Sequence, residues 1–406
     1  MSSRKLMTVE AARAAMLAHA RPRAAIPVKV GVEALDRVLA EPVTATRDQP
    51  PFDAAAMDGY TVTASGLSDT ASTTLRVIGE SAAGHGFAGL LNDGEAVRIF
   101  TGAPCPPGAA FVVPQELAAR DGDQVTLKPR DQSGSYIRPR GADFRSGDVL
   151  LAAGVRLDPW RLSLCAAAGR GDVLVRPRPR LAILSTGDEL VEAGASPKPD
   201  QIFDSGSPAL TALTTVWGAD AVRLRPAGDD VAAIAAAVEK AEVELIVMIG
   251  GASVGDHDLA KPALARLGLE LVVESVAVRP GKPTWFGVLP DGRLVLGLPG
   301  NPASALVCAE LFLLPLIDAL SGAAPGPNLI AARLASPLPA NGPREHWMRA
   351  TLAHSLDGVM TAEPLKDQDS SLVTVFAAAD ALLMRAANAP AVVAGEVATV
   401  LPLMRR

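Results

Sequence analysis

Cysteine, histidine and aromatic residues are all scarce in this chain, and each scarcity removes a class of function. The three cysteines, Cys105, Cys165 and Cys308, stand far apart without a Cys-x-x-Cys pair, and the five histidines are equally scattered. A zinc site is therefore not expected. An odd, unpaired cysteine count suits a reducing compartment and predicts the cytoplasm. Aromatic residues make up only 4% of the chain, which leaves few platforms for base stacking. Basic runs are missing and the formal net charge is −6, so nucleic acid is not an expected partner. The most apolar long stretch, residues 303–320, carries Glu310, Pro315 and Asp318. It reads as a buried helix, and no membrane partner is expected. Glu10 and Arg13 interrupt the apolar N-terminal stretch, which argues against a signal peptide. No Gly-x-Gly-x-x-Gly follows the first α/β strand, and there is no Walker lysine motif or Gly-x-Ser-x-Gly elbow. Dehydrogenase, P-loop and serine-hydrolase readings drop out.

What is present points to several domains. A chain of 406 residues, 49% of them apolar, holds more than one ordinary core. Thr8 caps a predicted helix that ends before Pro22, and a second helical pattern runs from Val32 to Ala40. From Pro50 to about Arg140 the texture is short apolar runs, such as residues 74–78 and 124–127, which predict a small β domain. Leu157 to Gly169 reads as a helix with Asp158 as cap and Pro159 in its first turn. Residues 175–180, rich in Pro and Arg, read as a linker. From Leu181 strands and helices alternate: strands at 181–184, 221–224, 243–249 and 271–278, a helix at 208–217 capped by Ser207, and one at 230–241 capped by Asp229. Such alternation predicts a parallel, doubly wound sheet. After residues 321–327 break the pattern, short β-like runs suggest a small barrel or sandwich.

The chemistry gathers in the loops that follow these strands. The run VELIVMI leads into Gly250, Gly251 and then Asp256 and Asp258, two carboxylates suited to a hard cation such as Mg2+. Asp188 and Glu189 follow the first α/β strand and belong on the same carboxyl-end rim, where ligands bind in such sheets. Asp204-Ser205-Gly206-Ser207 opens the next helix and offers hydroxyls and free N–H groups to an anion, or plain capping. Arg279 and Lys282 flank a Pro-Gly turn, and Asn301 begins the apolar helix; cations beside a helix N-terminus suit an oxyanion, and ordinary turn chemistry is the alternative. Asp58-Gly59 and Thr101-Gly102 in the β region are weak signals by themselves.

Taken together, PPFDAAAMDGYTV, RIFTGAPCPPGA, YIRPRGADFRSGDVLL, LSTGDELV, QIFDS, GGASVGDHD, RPGKPTWFG and LPGNPASALV resemble, in order, the molybdopterin molybdenumtransferase family of bacterial MoeA and gephyrin C-terminal type. The resemblance implies an α/β multidomain homodimer. It has a discontinuous α+β domain (1–46 and 140–176), a small β domain (47–139), a doubly wound molybdopterin-binding domain (177–325) and a C-terminal β-barrel (326–406). It implies Mg2+-dependent insertion of molybdate into adenylylated molybdopterin with release of AMP. Molybdopterin adenylyltransferase and molybdoenzymes are implied partners. By resemblance Asp58, Glu189 and Asp258 are catalytic, with Asp58 supplied across the dimer. The same resemblance implies Asp188, Glu189, Asp256 and Asp258 as metal ligands. It likewise implies that Thr101, Ser205, Gly250, Gly251, Arg279, Lys282, Asn301, Ser304, Arg344 and Ser370 contact the pterin nucleotide or molybdate. Asp229 stands at a further functional aspartate, though it also suits a helix cap.

The chain departs from that family pattern in several places. Ala54 and Ala55 replace Asn-Ser, Gly206 replaces Asn, Ile249 replaces Ser or Thr, and Asp367 and Asp369 replace glycines beside the implied oxyanion site. Two carboxylates there are expected to weaken molybdate binding unless they turn away or pair with Arg344 or Arg349. These departures motivate the alternative of a non-catalytic pterin-binding or scaffold paralogue. Adenylylation of molybdopterin, the preceding step, fits less well, because the chain has one α/β domain accompanied by β domains.

Overall fold

The computed structural model describes residues 6–129, 134–250, 259–326, 328–355 and 357–403. The chain divides into two units: Met1–Ile26, Asp36–Ala40 and Leu174–Arg406 form one, and Pro27–Leu35 and Glu41–Val173 the other.

The first unit is built on a six-stranded sheet. Its strands are β1 (Arg180–Ser185), β2 (Asp220–Arg223), β3 (Leu245–Ile249), β4 (Glu270–Val273), β5 (Trp285–Val288) and β6 (Leu294–Leu298), in the order β2-β1-β3-β6-β5-β4. Every residue of β3 is buried, as a central strand covered on both faces requires. Strands β2, β1, β3 and β6 run parallel, whereas β5 pairs antiparallel with both β6 and β4. The alternation predicted a parallel sheet, but β5 and β6 are joined only by residues 289–293. A parallel neighbour needs a crossover of roughly a dozen residues, so this pair forms a hairpin. The strand expected over 271–278 is also divided. It ends at Val273, and Val278–Arg279 pairs instead with Glu345–His346.

Two helix caps differ from expectation. The helix Gly206–Val216 is opened by Asp204, whose Oδ1 accepts from the Ser207 N–H at 3.0 Å, so Ser207 is the capped residue and not the cap. Asp230, not Asp229, caps Val231–Lys240, accepting from the N–H groups of Ala232 and Ala233 at 2.7 and 3.1 Å. Thr8 caps Val9–Leu17 as expected.

The apolar stretch forms one continuous helix, Pro302–Leu320, with a π turn over Ala309–Leu313. Pro315 lacks an N–H and its ring crowds the carbonyl four residues earlier, so the preceding turn widens. By length and composition this helix would suffice to cross a membrane, yet 83% of its apolar window is buried in the protein. Inside the π turn sits Glu310, 5% exposed, whose carboxyl is pushed up to about 7 by burial. The native state therefore holds a proton that the unfolded chain, with an ordinary value of 4.5, gives up earlier. The penalty is absent below the unfolded pKa, grows as pH rises toward 7 and is complete above it. Glu310→Gln removes this dependence. Between pH 4.5 and 8 the variant is expected to gain about 3 kcal/mol relative to the native protein. Denaturant melts at several pH values check this, and a pH-independent difference contradicts it.

The C-terminal region closes into a five-stranded barrel of Ile330–Leu334, Glu345–His354, Met360–Pro364, Ala381–Arg385 and Val397–Pro402, with Val278–Arg279 added alongside. Ala350, Ala362, Ala381, Leu383 and Val400 fill it. Small residues dominate because a barrel this narrow has little interior volume.

The second unit carries a six-stranded sheet in the order Phe111–Pro114, Gly59–Val62, Glu95–Ile99, Thr73–Ser81, Gln124–Leu127, Ala118–Asp121. Its helix Pro159–Ala167 is capped by Asp158, which accepts from the Arg161 N–H at 2.8 Å. The helix expected over Val32 to Ala40 is absent. Val32–Ala34 makes a single 3-10 turn, Asp36 at φ 60° breaks the spiral, and Val38–Leu39 pairs in the first unit with Val175–Arg176. That pairing also shortens the expected linker, since residues 175–176 are strand.

Candidate active site

The carboxyl ends of β1, β3 and β6 meet. Thr186 N–H donates to the Ile249 carbonyl at 2.9 Å, and Gly250 N–H to the Leu298 carbonyl at 3.2 Å. Gly250 has φ +91°, and a Cβ there would lie 2.6 Å from the Thr186 carbonyl oxygen. Only glycine fits both the angle and the approach. Gly250→Ala is expected to cost about 1–3 kcal/mol, measured by denaturation, through strain at that angle. An unshifted midpoint would contradict the close approach.

Asp188 and Glu189 are exposed on this rim. The Asp188 Oδ1 accepts from the Asp229 N–H at 2.9 Å, which ties the β1 loop to the loop before Val231–Lys240. Gly228 permits this, because a Cβ there would stand 2.7 Å from the same oxygen. Glu189 folds back over Gly187, with Oε2 2.3 Å from where a Cβ would be, and its side chain bonds to none of the described residues. Gly251, Asp256 and Asp258 lie outside the described residues.

Behind the rim, buried Asp204 is held by Ser207 Oγ and by Arg223 Nη2 at 3.3 Å. Burial works to raise its pKa, but these bonds win and hold it below the usual carboxylate range. Ser205, at the helix start, is exposed. Gly206 and Ile249, two of the departures, prove to be neighbours: a Cβ at 206 would lie 3.4 Å from Ile249 Cδ1. The branched side chain reaches toward the place that a larger residue at 206 would occupy.

A second cluster forms where the sheet meets the barrel. Asn301 Nδ2 donates to Ser370 Oγ at 2.8 Å, and Ala303 N–H to the Ser370 carbonyl at 3.2 Å. Ser304 is buried in the same helix turn. Arg349 joins this loop from the barrel, donating through Nη2 to the Asp369 carbonyl at 2.8 Å. It is 0% exposed, and its Nε and Nη1 find no partner among the described residues. Burial lowers its pKa, opposed by Asp367 and Asp369. The Asp369 carboxylate turns into its own loop, accepting from Ser371 N–H and Oγ at 2.8 and 2.7 Å, and Asp367 accepts from the Asp369 N–H. The two extra carboxylates thus balance Arg349 rather than fill the cluster.

Arg344 points elsewhere, to the Val278 carbonyl at 3.3 Å. Arg279 and Lys282 are exposed on the adjoining loop. Buried His346, opposite Arg279 in register, is driven to about 4 by burial and by Arg279, Arg349 and Arg344, so it is neutral at physiological pH. From the sequence alone Arg349 reads only as a counter-charge to Asp367 and Asp369. The signal for it was a lone arginine in the apolar run Trp347, Met348, Ala350.

In the second unit Asp58 and Thr101 do come together. The Asp58 Oδ1 accepts from Thr101 N–H at 2.8 Å and from its hydroxyl at 2.7 Å. These bonds, with Arg98 nearby, keep Asp58 ionised to below the usual range. Arg98 itself stacks on Tyr60 and Phe100 and donates to the Gly59 carbonyl. Ala54 and Ala55 are buried and pair in register with Arg138 and Ile137, and Ala55 belongs to an apolar cluster with Ile99, Ala103 and Val112.

Among the described residues no group of three or more His, Cys, Asp or Glu side chains is placed to hold a metal. Asp188 and Glu189 nonetheless offer an oxygen-only donor pair, which fits Mg2+. That ion commonly takes one or two carboxylates and completes its shell with phosphate and water.

A mixed α/β sheet with a glycine-and-carboxylate rim, a closed barrel and a separate β unit defines a MoeA-like multidomain enzyme fold. Family models match in succession: "MoeA N-terminal region (domain I and II)" over residues 7–169, "Probable molybdopterin binding domain" over 182–319 and "MoeA C-terminal region (domain IV)" over 331–403. The molybdopterin molybdenumtransferase of Nostoc sp. is 36% identical over 332 residues, covering 80% of this chain and 76% of that protein. Molybdopterin molybdenumtransferase 1 of Mycobacterium tuberculosis is 32% identical over 92% of this chain and 94% of its own. The solved molybdopterin biosynthesis MoeA protein from Pyrococcus horikosii superposes with a TM-score of 0.83 at 30% identity, over 99% of this chain and all of that one. The chain belongs to the molybdopterin molybdenumtransferase family.

Proposed function

We propose that this protein is a molybdenum insertase: it takes adenylylated molybdopterin and molybdate, releases AMP and yields molybdenum cofactor in a Mg2+-dependent reaction. The observation that carries the reading is the pair of clusters within one unit, an oxygen-donor rim on the sheet and a buried, partly unpartnered guanidinium at the barrel junction. The rim suits a phosphate-bridged nucleotide, because backbone N–H groups and carboxylates there can hold phosphate oxygens and a cation. Asp188 and Glu189, with Asp256 and Asp258, would hold Mg2+, which when bound would supply charge neutralisation for the departing AMP. Molybdate, a dianion, takes Arg349, Lys282 and Arg279 as cations and Ser304, Ser370 and Asn301 as donors. Asp58 is a further reacting carboxylate, and its ionised state suits a base better than an acid. A homodimer in the cytoplasm belongs to the same proposal.

Purified protein with Mg2+, molybdate and adenylylated molybdopterin is expected to release AMP, with Mg2+ omission stopping it. AMP at the level of an enzyme-free control would overturn the reading. That result would favour a pterin-binding paralogue without catalysis, for which the absence of a side chain at Gly206 and the apolar Ile249 facing that position are the supporting observation. Rescue of a strain lacking its own insertase separates the two independently.

A further inference from the structure

Two buried side chains support the loop that bears Arg279 and Lys282. Thr284 is 0% exposed, and its Oγ1 lies 2.8 Å from the Gly281 carbonyl oxygen and 3.1 Å from Cys308 Sγ. The Thr284 N–H also donates to that carbonyl, at 3.0 Å. Cys308 is equally buried, one turn beyond Ser304 on the same helix, with Sγ 3.9 Å from the Pro280 and Gly281 carbonyls. Gly281 has φ +117°, and a Cβ there would come within 2.1 Å of the sulfur. The turn thus rests on Sγ with only hydrogen between. Burial pushes the Cys308 thiol up to about 12, so this contact is neutral and chemically inert.

We propose that Thr284 and Cys308 form a clasp that fixes Arg279 and Lys282 relative to Ser304, making Thr284 a positioning residue for oxyanion binding. The inference rests on the reading of this cluster as the molybdate site. A lysine ammonium is a point charge on a flexible stem, so its contribution depends on where its backbone is anchored. Here Cys308 and Ser304 belong to one helix, and Thr284 ties the turn that bears the cation to that helix. The clasp touches no substrate itself.

Thr284→Val keeps the shape of the side chain and deletes the hydroxyl. The Gly281 carbonyl keeps its bond from the residue 284 N–H, so no buried acceptor is orphaned and the fold survives. Radiolabelled molybdate binding to the full chain is measured for Thr284→Val, Thr284→Ser and Lys282→Ala. Thr284→Val is expected to bind roughly tenfold more weakly at unchanged Tm, as misplaced binding groups do. Thr284→Ser is expected to bind like the native protein, and affinity for the pterin nucleotide to stay unchanged throughout. Cys308→Ala, which removes the sulfur from beneath Gly281, is expected to weaken molybdate binding in the same direction. Native-like binding by both Thr284→Val and Cys308→Ala, with Lys282→Ala weakened, overturns the clasp alone. Native-like binding by Lys282→Ala overturns the molybdate reading, and the clasp with it.

Discussion

Glu189→Ala is expected to lower the rate of AMP release by about 100-fold or more while leaving the melting curve in place. A metal-holding or proton-moving carboxylate contributes on the order of 10²–10⁴ in rate. The same side chain is exposed and bonds to none of the described residues, so the fold does not depend on it. Exposed substitutions of that kind shift stability by no more than about 0.5 kcal/mol. The neighbouring acid makes a poorer test. Asp188→Ala also frees the Asp229 N–H and loosens the loop, so a lost rate there has two explanations. Unchanged AMP release by Glu189→Ala removes Glu189 from the reaction and passes its role to the carboxylates beyond Gly250.

Arg349→Met is expected to do the opposite to stability: Tm at or above native, with molybdate binding lost. A guanidinium with no exposed surface and two unpartnered nitrogens is costly to keep charged, and because Asp367 and Asp369 are exposed, an apolar side chain of similar volume removes that cost without stranding a buried charge. Removing one charge from a buried ionic contact costs binding about 2–5 kcal/mol, roughly 30- to 5000-fold. A fold more stable without a residue that the ligand needs is the mark of a functional position. Differential scanning calorimetry and molybdate titration of one preparation test both halves. A destabilised variant with native affinity would make Arg349 a structural residue.

The elements that the sequence discloses are those whose signal is local. β3 is legible because a strand buried on both faces must be apolar throughout, and Val9–Leu17 and Pro159–Ala167 are legible through Thr8 and the Asp158-Pro159 pair. What stays hidden depends on partners distant in the chain. Val32 to Ala40 has helical spacing, but Asp36 adopts a left-handed conformation that no periodicity encodes, and Val38–Leu39 is claimed by residues 175–176. Asp229 and Asp230 are equal as caps on paper, and only the backbone path decides for Asp230.

The site divides in the same way. Asp188, Glu189 and Gly250 are visible because strand ends fix the rim, and Asp58 with Thr101 because a resemblance joins two turns that spacing alone would not. Arg344 and Arg349 lie close in sequence, yet barrel closure sends one to a carbonyl of Val278 and seals the other in the junction. Likewise nothing local in the sequence shows that Val278–Arg279, which leads into the Lys282 turn, pairs with a barrel strand.

Ile249 stands where it would meet any side chain at position 206, with Cδ1 3.4 Å from a Cβ built there, which couples these two positions. A bulkier group at 206 and the branched chain at 249 draw on one volume, so restoring an amide at the first while keeping the second invites crowding, and trimming the second alone opens a hole beside β3. Grafts between this chain and its relatives should therefore move both together or neither.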